Sequence, residues 1–254
     1  MRPELRIFHE SGKLSRHAAN LFVEFSNRAI FERWRFLVVL NGVKTPVPMF
    51  ELLASEFREH VDWSKVHVFW GDERCVPPGD SGSNYRQAMD LLFSHVPMPQ
   101  GNIHRAKGEL APFDAVTDLE LTLKAFADGD LDFPRFDLVF LGLGEDGHTA
   151  SLFPGSVGQV HTPVVAVTAN YQDRPANRIS LTQVVFNKAR AVVFMATGES
   201  KAKVLAEVLS DRYNPEKIPA QRIDPQNGQL IWLVDESAAG RLPRKVKGFK
   251  ICEG

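Results

Sequence analysis

Cysteine is nearly absent from this sequence: Cys75 and Cys252 are the only two in 254 residues. They lie far apart, without the paired spacing of a zinc site, so both read as reduced thiols in a reducing compartment. Nothing in the sequence marks a base beside either, which argues against a nucleophilic role. An excess of charge is also missing. Thirty Lys and Arg against 31 Asp and Glu leave a formal net charge of −1, which argues against a nucleic-acid or membrane-surface role, since either needs a basic excess on one face. No window approaches the roughly 18 apolar residues of a membrane span, and the opening MRPELRIFHESGKLS has no apolar core of signal-peptide length. The expectation is a cytoplasmic protein. No repeat, low-complexity tract or charge block breaks the chain, and Pro77-Pro78-Gly79 and the segment from Pro97 to Gly101 read as loops rather than linkers. Residues 1–254 are therefore expected to form a single domain.

What the sequence does contain is a succession of apolar runs: RFLVVLNG, KVHVFWGD, FDLVFLGLG, TPVVAVTA, RAVVFMATG and QLIWLVD. Helix-like segments separate several of them. Met49, Leu52, Leu53 and Phe57 follow Thr45-Pro46 at helical spacing, Ala88, Leu91, Leu92 and His95 follow Ser83, and Val204, Leu205, Val208 and Leu209 follow Ser200. The opening segment carries a helical stripe of Leu14, Ala18, Leu21, Phe22, Phe25 and Ala29, which reads as core packing. This alternation predicts an α/β fold with a mainly parallel sheet covered on both faces. In open parallel sheets ligands bind beyond the carboxyl ends of the strands, near the point where strand order reverses. The polar residues that end the strands are therefore the candidates: Asn41 and Gly42 with Lys44 and Thr45, then Asp72-Glu73-Arg74, then Gly144 to His148, then Gly198 to Lys201.

The segment LGLGEDGHTASLF contains a literal G-x-G-x-x-G in Gly142, Gly144 and Gly147. A dinucleotide fingerprint also needs a helix behind the glycines and an acid about 20 residues on for the ribose. The helix would meet Pro154-Gly155 within two turns, and HTPVVAVTA carries no carboxylate. The glycines serve something else. His148 can take a proton from water near neutral pH, and Asp146 can hold its ring nitrogen and stabilise the imidazolium. Glycines flanking Glu145-Asp146 allow a tight turn that brings N–H groups toward a developing oxyanion.

The remaining candidates each admit two readings. Thr45 before Pro46 is either a helix-capping threonine or, with Lys44, an anion ligand. Lys201 at a strand-to-helix turn is either a solvated lysine or a phosphate contact, and Arg178 in ANRISLT is similarly open. Asp72 and Arg74 are either a solvated turn or side chains held in fixed directions by the rigid loop that follows.

Taken together, VFWGDERCVPPGDSGSNYRQA, FDLVFLGLGEDGHTASLFPG, RISLT, ATGESKA and WLVDESAAG resemble the 6-phosphogluconolactonase family over nearly the whole chain. The resemblance implies a three-layer α/β/α, Rossmann-like fold, shared with glucosamine-6-phosphate deaminase and ribose-5-phosphate isomerase. It implies hydrolysis of 6-phosphogluconolactone to 6-phosphogluconate in the oxidative pentose phosphate pathway, with no metal or organic cofactor and a small sugar-phosphate lactone as the partner. By it, His148 matches the general base and Asp146 the acid beside it, while Thr45, Asp72, Arg74, Arg178 and Lys201 fall on positions that line the sugar-phosphate pocket. One departure stands out. The family's phosphate loop resembles SGGSTP, whereas this chain reads NGVKTP, with Val43 in place of a glycine and Lys44 adding a charge. The related deaminases carry a glutamate five residues after the histidine, where this chain has Phe153; an apolar ring cannot do an acid's work.

Overall fold

The computed structural model describes residues 2–42, 44–156, 160–171 and 174–253. The chain begins with strand β1 (Glu4–Phe8), helix α1 (Ser11–Arg33), β2 (Phe36–Leu40), α2 (Val47–Ala54), β3 (Val66–Trp70) and the short β4 (Asp72–Arg74). It continues with α3 (Asn84–Ala88), β5 (Ile103–His104), α4 (Pro112–Lys124), β6 (Leu138–Gly142), β7 (Val164–Thr168) and β8 (Asn177–Leu181). The last part holds α5 (Gln183–Phe186), β9 (Ala191–Ala196), α6 (Ala202–Val208), β10 (Gln229–Asp235), α7 (Glu236–Ala239) and β11 (Lys250–Glu253). No helix among the described residues is long and apolar enough to cross a membrane.

Eight strands make one sheet in the order β11-β1-β10-β9-β6-β2-β3-β5, and its pairings are parallel. Successive side chains of a strand point to opposite faces, so strands apolar throughout supply two cores. From β2, Leu37 and Val39 pack with Leu119 and Leu123 of α4, Phe186 of α5 and Leu205 of α6. Phe36, Val38 and Leu40 pack on the other face with Phe22 and Phe25 of α1 and Phe50 and Leu53 of α2. The result is the expected three-layer α/β/α arrangement. Cross-strand pairs lock the register: Trp232 of β10 lies opposite Phe194 of β9, their rings stacked with centroids 4.0 Å apart. Burying either ring contributes on the order of 2 kcal/mol.

TPVVAVTA does not join this sheet. Its strand β7 pairs antiparallel with β8, which pairs antiparallel with β4, in a separate three-stranded sheet. The physical reason lies in its burial. Val165 and Val167 on one face are half-buried and buried, while Ala166 and Thr168 on the other are exposed, closer to an antiparallel strand with one solvated face than to a parallel one covered on both sides. The connection from β7 to β8 is also too short for a parallel crossover. Helix α2 stops at Ala54, short of Phe57, and His95 lies exposed beyond the π-helical turn Met89–Phe93 that continues α3.

The topology fixes the place of the site. From β2 the chain builds outward through β3 and β5, then returns to the opposite side of β2 with β6 and builds through β9 and β10. Strand order thus reverses between the neighbours β2 and β6, and loops diverging from their carboxyl ends open a crevice there.

Candidate active site

Asn41, Gly42, Thr45, Gly142, Gly144 and His148 line a cavity at this reversal point, joined by Asp72, Arg74, Arg178 and Lys201. The loop after β6 forms no helix. It closes on itself, with the Gly144 N–H donating to the His148 carbonyl at 2.8 Å and the Gly147 N–H donating to the Gly144 carbonyl at 3.1 Å. Gly147 has φ of +86°, a conformation open to glycine at little cost. The buried Thr149 hydroxyl donates to the Gly142 carbonyl at 2.9 Å and ties the far end of the loop to the strand.

Within this frame His148 and Asp146 form a dyad. Asp146 Oδ1 lies 2.5 Å from His148 Nδ1 and accepts the His148 backbone N–H at 3.1 Å. In the neutral imidazole, a carboxylate accepting at Nδ1 requires the proton there, which leaves the lone pair on Nε2. Burial acts to raise the Asp146 carboxyl, but the hydrogen bonds and positive charge offered by His148 prevail and hold it below its ordinary value. The imidazole is half sandwiched: Phe153 lies 4.4 Å away and tilted by 33°, and Tyr171 meets it edge-on at 4.7 Å and 80°. Asp146 is not on the cavity wall itself and reaches the cavity through His148.

Alternation along β4 separates the roles in Asp72-Glu73-Arg74. Asp72 and Arg74 share one face and line the cavity. Glu73 points the other way, where its two oxygens accept from the N–H groups of Arg74, Asn84 and Tyr85 and from the Ser83 hydroxyl, at 2.8 to 3.0 Å. Burial pushes the Glu73 carboxyl up against the pull of those four donors, and its work is to pin α3 beneath the site. Asp72 accepts the Ser151 hydroxyl at 2.6 Å and the Asn84 side-chain amide at 3.2 Å, and Arg178 stands 3.9 Å away.

The register of β4 on β8 sets Arg74 directly opposite Arg178. Two like charges so placed are unfavourable on their own, and both side chains are buried. Burial first, then the neighbouring arginines, lower the Arg178 guanidinium, while Asp72 opposes them. The Phe153 ring lies 5.3 Å below it. Arg178 Nε and Nη2 and Arg74 Nε find no hydrogen-bond partner among the described residues. A buried donor left unpaired costs about 1 to 3 kcal/mol, a cost that an anion placed between the two guanidinium groups would relieve. Of the glycine-loop amides, those of Gly144 and Gly147 are spent within the loop, while guanidinium N–H groups of Arg74 and Arg178 stay unpaired among the described residues.

Lys201 lies in the 3-10 turn Glu199–Lys201 that leads into α6 and lines the same cavity. Burial lowers its ammonium, with Glu145, 3.8 Å away, pulling in the opposite direction. Thr45 does not cap α2, whose N-cap is Pro46; it lines the cavity instead. Lys44 is exposed and not on the cavity wall, and Val43 lies outside the described residues. The cavity also contains Tyr171 and Arg174, which sequence reasoning missed. The available signal was an aromatic and an arginine in the polar segment NYQDRPANR.

Residues 9–232 match the model of the family described as glucosamine-6-phosphate isomerases/6-phosphogluconolactonase. The chain belongs to this family. Among its curated members, a 6-phosphogluconolactonase of Synechocystis sp. is 40% identical over 223 residues, covering 85% of this chain and 88% of that protein. The 6-phosphogluconolactonase of Haemophilus influenzae is 37% identical over 202 residues, covering 79% and 85%. Among solved family structures, the 6-phosphogluconolactonase of Thermotoga maritima superposes with a TM-score of 0.79 at 28% identity, covering 92% of this chain and 100% of that one.

Proposed function

We propose that this protein hydrolyses 6-phosphogluconolactone to 6-phosphogluconate, as one 254-residue domain in the cytoplasm, with His148 as general base. The observation that carries the mechanism is the His148–Asp146 dyad, its Nε2 free, beside unpaired guanidinium N–H groups in one cavity. In this reading His148 Nε2 takes a proton from water as its oxygen attacks the lactone carbonyl. Charge that develops on the carbonyl oxygen is met by Arg74 and Arg178, whose donors are desolvated and already in place. The tetrahedral intermediate then collapses, the bond to the ring oxygen breaks, and the imidazolium returns its proton to that oxygen. Asp146 stabilises the imidazolium throughout. The product carboxylic acid ionises in water.

Lys201 and Thr45, with Gly42 at the end of β2, form the phosphate end of the cavity in this account. Lys44 contributes charge one residue from Thr45. Asp72, held by Ser151 and Asn84, fixes Arg178 and contacts sugar hydroxyls. Gly144 gives the dyad its room. Phe153 against the His148 ring supports hydrolysis over deamination, because it places an apolar ring where an acid would be needed. The test is hydrolysis of 6-phosphogluconolactone generated in situ and corrected for its spontaneous rate. Turnover well above the blank is expected; a rate equal to the blank overturns the proposal.

A further inference from the structure

The strands that carry the site at their carboxyl ends have a second charged feature at their amino ends. Arg33 and Arg35 precede β2, Arg135 precedes β6 and Arg190 precedes β9, and all four line one open cleft with Asp128 and Asp137. Asp137 is buried. One of its oxygens accepts the Leu37 N–H at 2.9 Å, and the other accepts Nε of Arg33 at 3.0 Å and Nε of Arg190 at 3.1 Å. This carboxylate therefore orients two guanidinium groups toward a common point by their Nε edges. It leaves both Nη atoms of Arg190 without a hydrogen bond to any described residue.

The other two arginines are held with little neutralisation. Arg135 donates Nε to the Lys188 carbonyl at 3.1 Å and Nη2 to the Asn227 carbonyl at 2.6 Å; carbonyls fix its direction but carry no charge. Arg35 makes only a 3.7 Å ion pair with Asp128 and lies over the Phe126 ring, 5.8 Å from its centroid. Arg33 also pairs through Nη1 with Glu32, so four guanidinium groups meet three carboxylates, and the positive excess lies with Arg35, Arg135 and Arg190. Their orientation is set by packing and by Asp137, so little side-chain freedom remains to be lost on binding. Planar guanidinium edges of this kind match the oxygen pairs of a phosphate.

We infer that this cleft is a second anion site, separate from the catalytic cavity, which takes an oxyanion of the phosphate class carrying two or more charges. The ligand is held by the free Nη edge of Arg190 with Arg35 and Arg135, and it is either a free phosphate or the phosphoryl end of a metabolite.

The test is arginine modification by phenylglyoxal, read site by site by peptide mass spectrometry on the full-length protein, with and without pyrophosphate at constant ionic strength. Only the peptides carrying Arg35, Arg135 and Arg190 are read, so pyrophosphate entering the catalytic cavity does not affect the result. Pyrophosphate is expected to slow modification of Arg35, Arg135 and Arg190 severalfold, while sodium chloride of equal ionic strength does not. Calorimetry with the same probe then compares Arg35→Gln and Arg190→Gln with the wild type. Each is expected to bind roughly tenfold more weakly, as loss of a charge-assisted bond in a part-exposed site implies, with lactone turnover unchanged. Arg35→Gln removes one long ion pair and the contact with the Phe126 ring but leaves the Asp137 hydrogen bonds in place, so it tests the site even if removing Arg190 unsettles Asp137. Inorganic phosphate in place of pyrophosphate distinguishes the sources: binding of both assigns the site to free phosphate, whereas binding of pyrophosphate alone assigns it to a larger phosphoryl ligand. Equal protection by chloride, or unchanged affinity in Arg35→Gln, overturns the inference.

Discussion

A side chain at position 144 and the imidazole of His148 cannot occupy this structure together. A Cβ built on Gly144 falls 2.1 Å from His148 Nδ1 and 2.7 Å from Asp146 Oδ1, so the glycine is the floor on which the dyad rests. Gly144→Ala is therefore expected to keep the fold, since the loop is short and outside the sheet, but to displace the base. Misplacement by about 1 Å costs on the order of a hundredfold in rate. The expected result is a kcat lower by that factor with an unchanged melting temperature; near-wild-type kcat would show that the dyad tolerates the shift.

A phosphate end formed by Lys201 and Thr45, as proposed above, predicts selectivity. Each charge-assisted hydrogen bond is worth about 1.5 to 3 kcal/mol, so losing two amounts to a hundredfold or more in catalytic efficiency. Unphosphorylated gluconolactone should be a poorer substrate by that factor. Lys201→Met should raise KM for the phosphorylated lactone and leave the rate with the unphosphorylated one nearly untouched. Equal losses on both substrates would place Lys201 in the chemistry rather than at the phosphate.

Prolonged treatment with a chelator should leave turnover unchanged. Among the described residues no three His, Cys, Asp or Glu side chains are grouped to hold a metal ion, and His148 Nδ1 is already engaged by Asp146. Activity lost to the chelator and restored by added zinc or magnesium would refute the unaided mechanism.

The acid limb of stability should depend on a histidine pair remote from the site. His104 Nε2 lies 3.1 Å from His67 Nδ1, and its ring stacks on Phe69 with centroids 4.6 Å apart. Burial, and then the charge of His67, lower the His104 imidazole to about 4. The folded protein therefore keeps His104 neutral where the unfolded chain, with an ordinary pKa of about 6.5, binds a proton. Stability from this group is complete above about pH 6.5 and falls as the pH drops toward 4. His104→Phe, which keeps the stacked ring, should flatten the melting temperature between pH 6.5 and 4.5 relative to the wild type; parallel curves would show that the pair does not titrate in that window.

Much of this was legible in the sequence because strand ends are legible. The runs ending in Asn41-Gly42, Asp72-Glu73-Arg74, Gly142 and Gly198 mark where polar side chains gather, and His148, Asp146, Gly144, Asp72, Arg74, Arg178, Thr45 and Lys201 came from those ends or from the motifs around them. What escaped depends on long-range packing. TPVVAVTA has the composition of a core strand, and only its partner β8 shows that it belongs to a small antiparallel sheet. Tyr171 meets His148 through a loop with no periodicity to read. Ser151 and Asn84 bind Asp72 from positions 79 and 12 residues away, and Lys44, charged and adjacent to Thr45, turns outward. The spent amides of Gly144 and Gly147 could be seen only once the loop was closed.

The most direct measurement of the central claim is His148→Ala, assayed with 6-phosphogluconolactone generated in situ and titrated separately with 6-phosphogluconate. General-base catalysis contributes about 10² to 10⁴ in rate, so kcat should fall by that range while affinity for the product stays within a few-fold of the wild type. A folded His148→Ala protein that hydrolyses the lactone at a rate near that of the wild type would contradict the account.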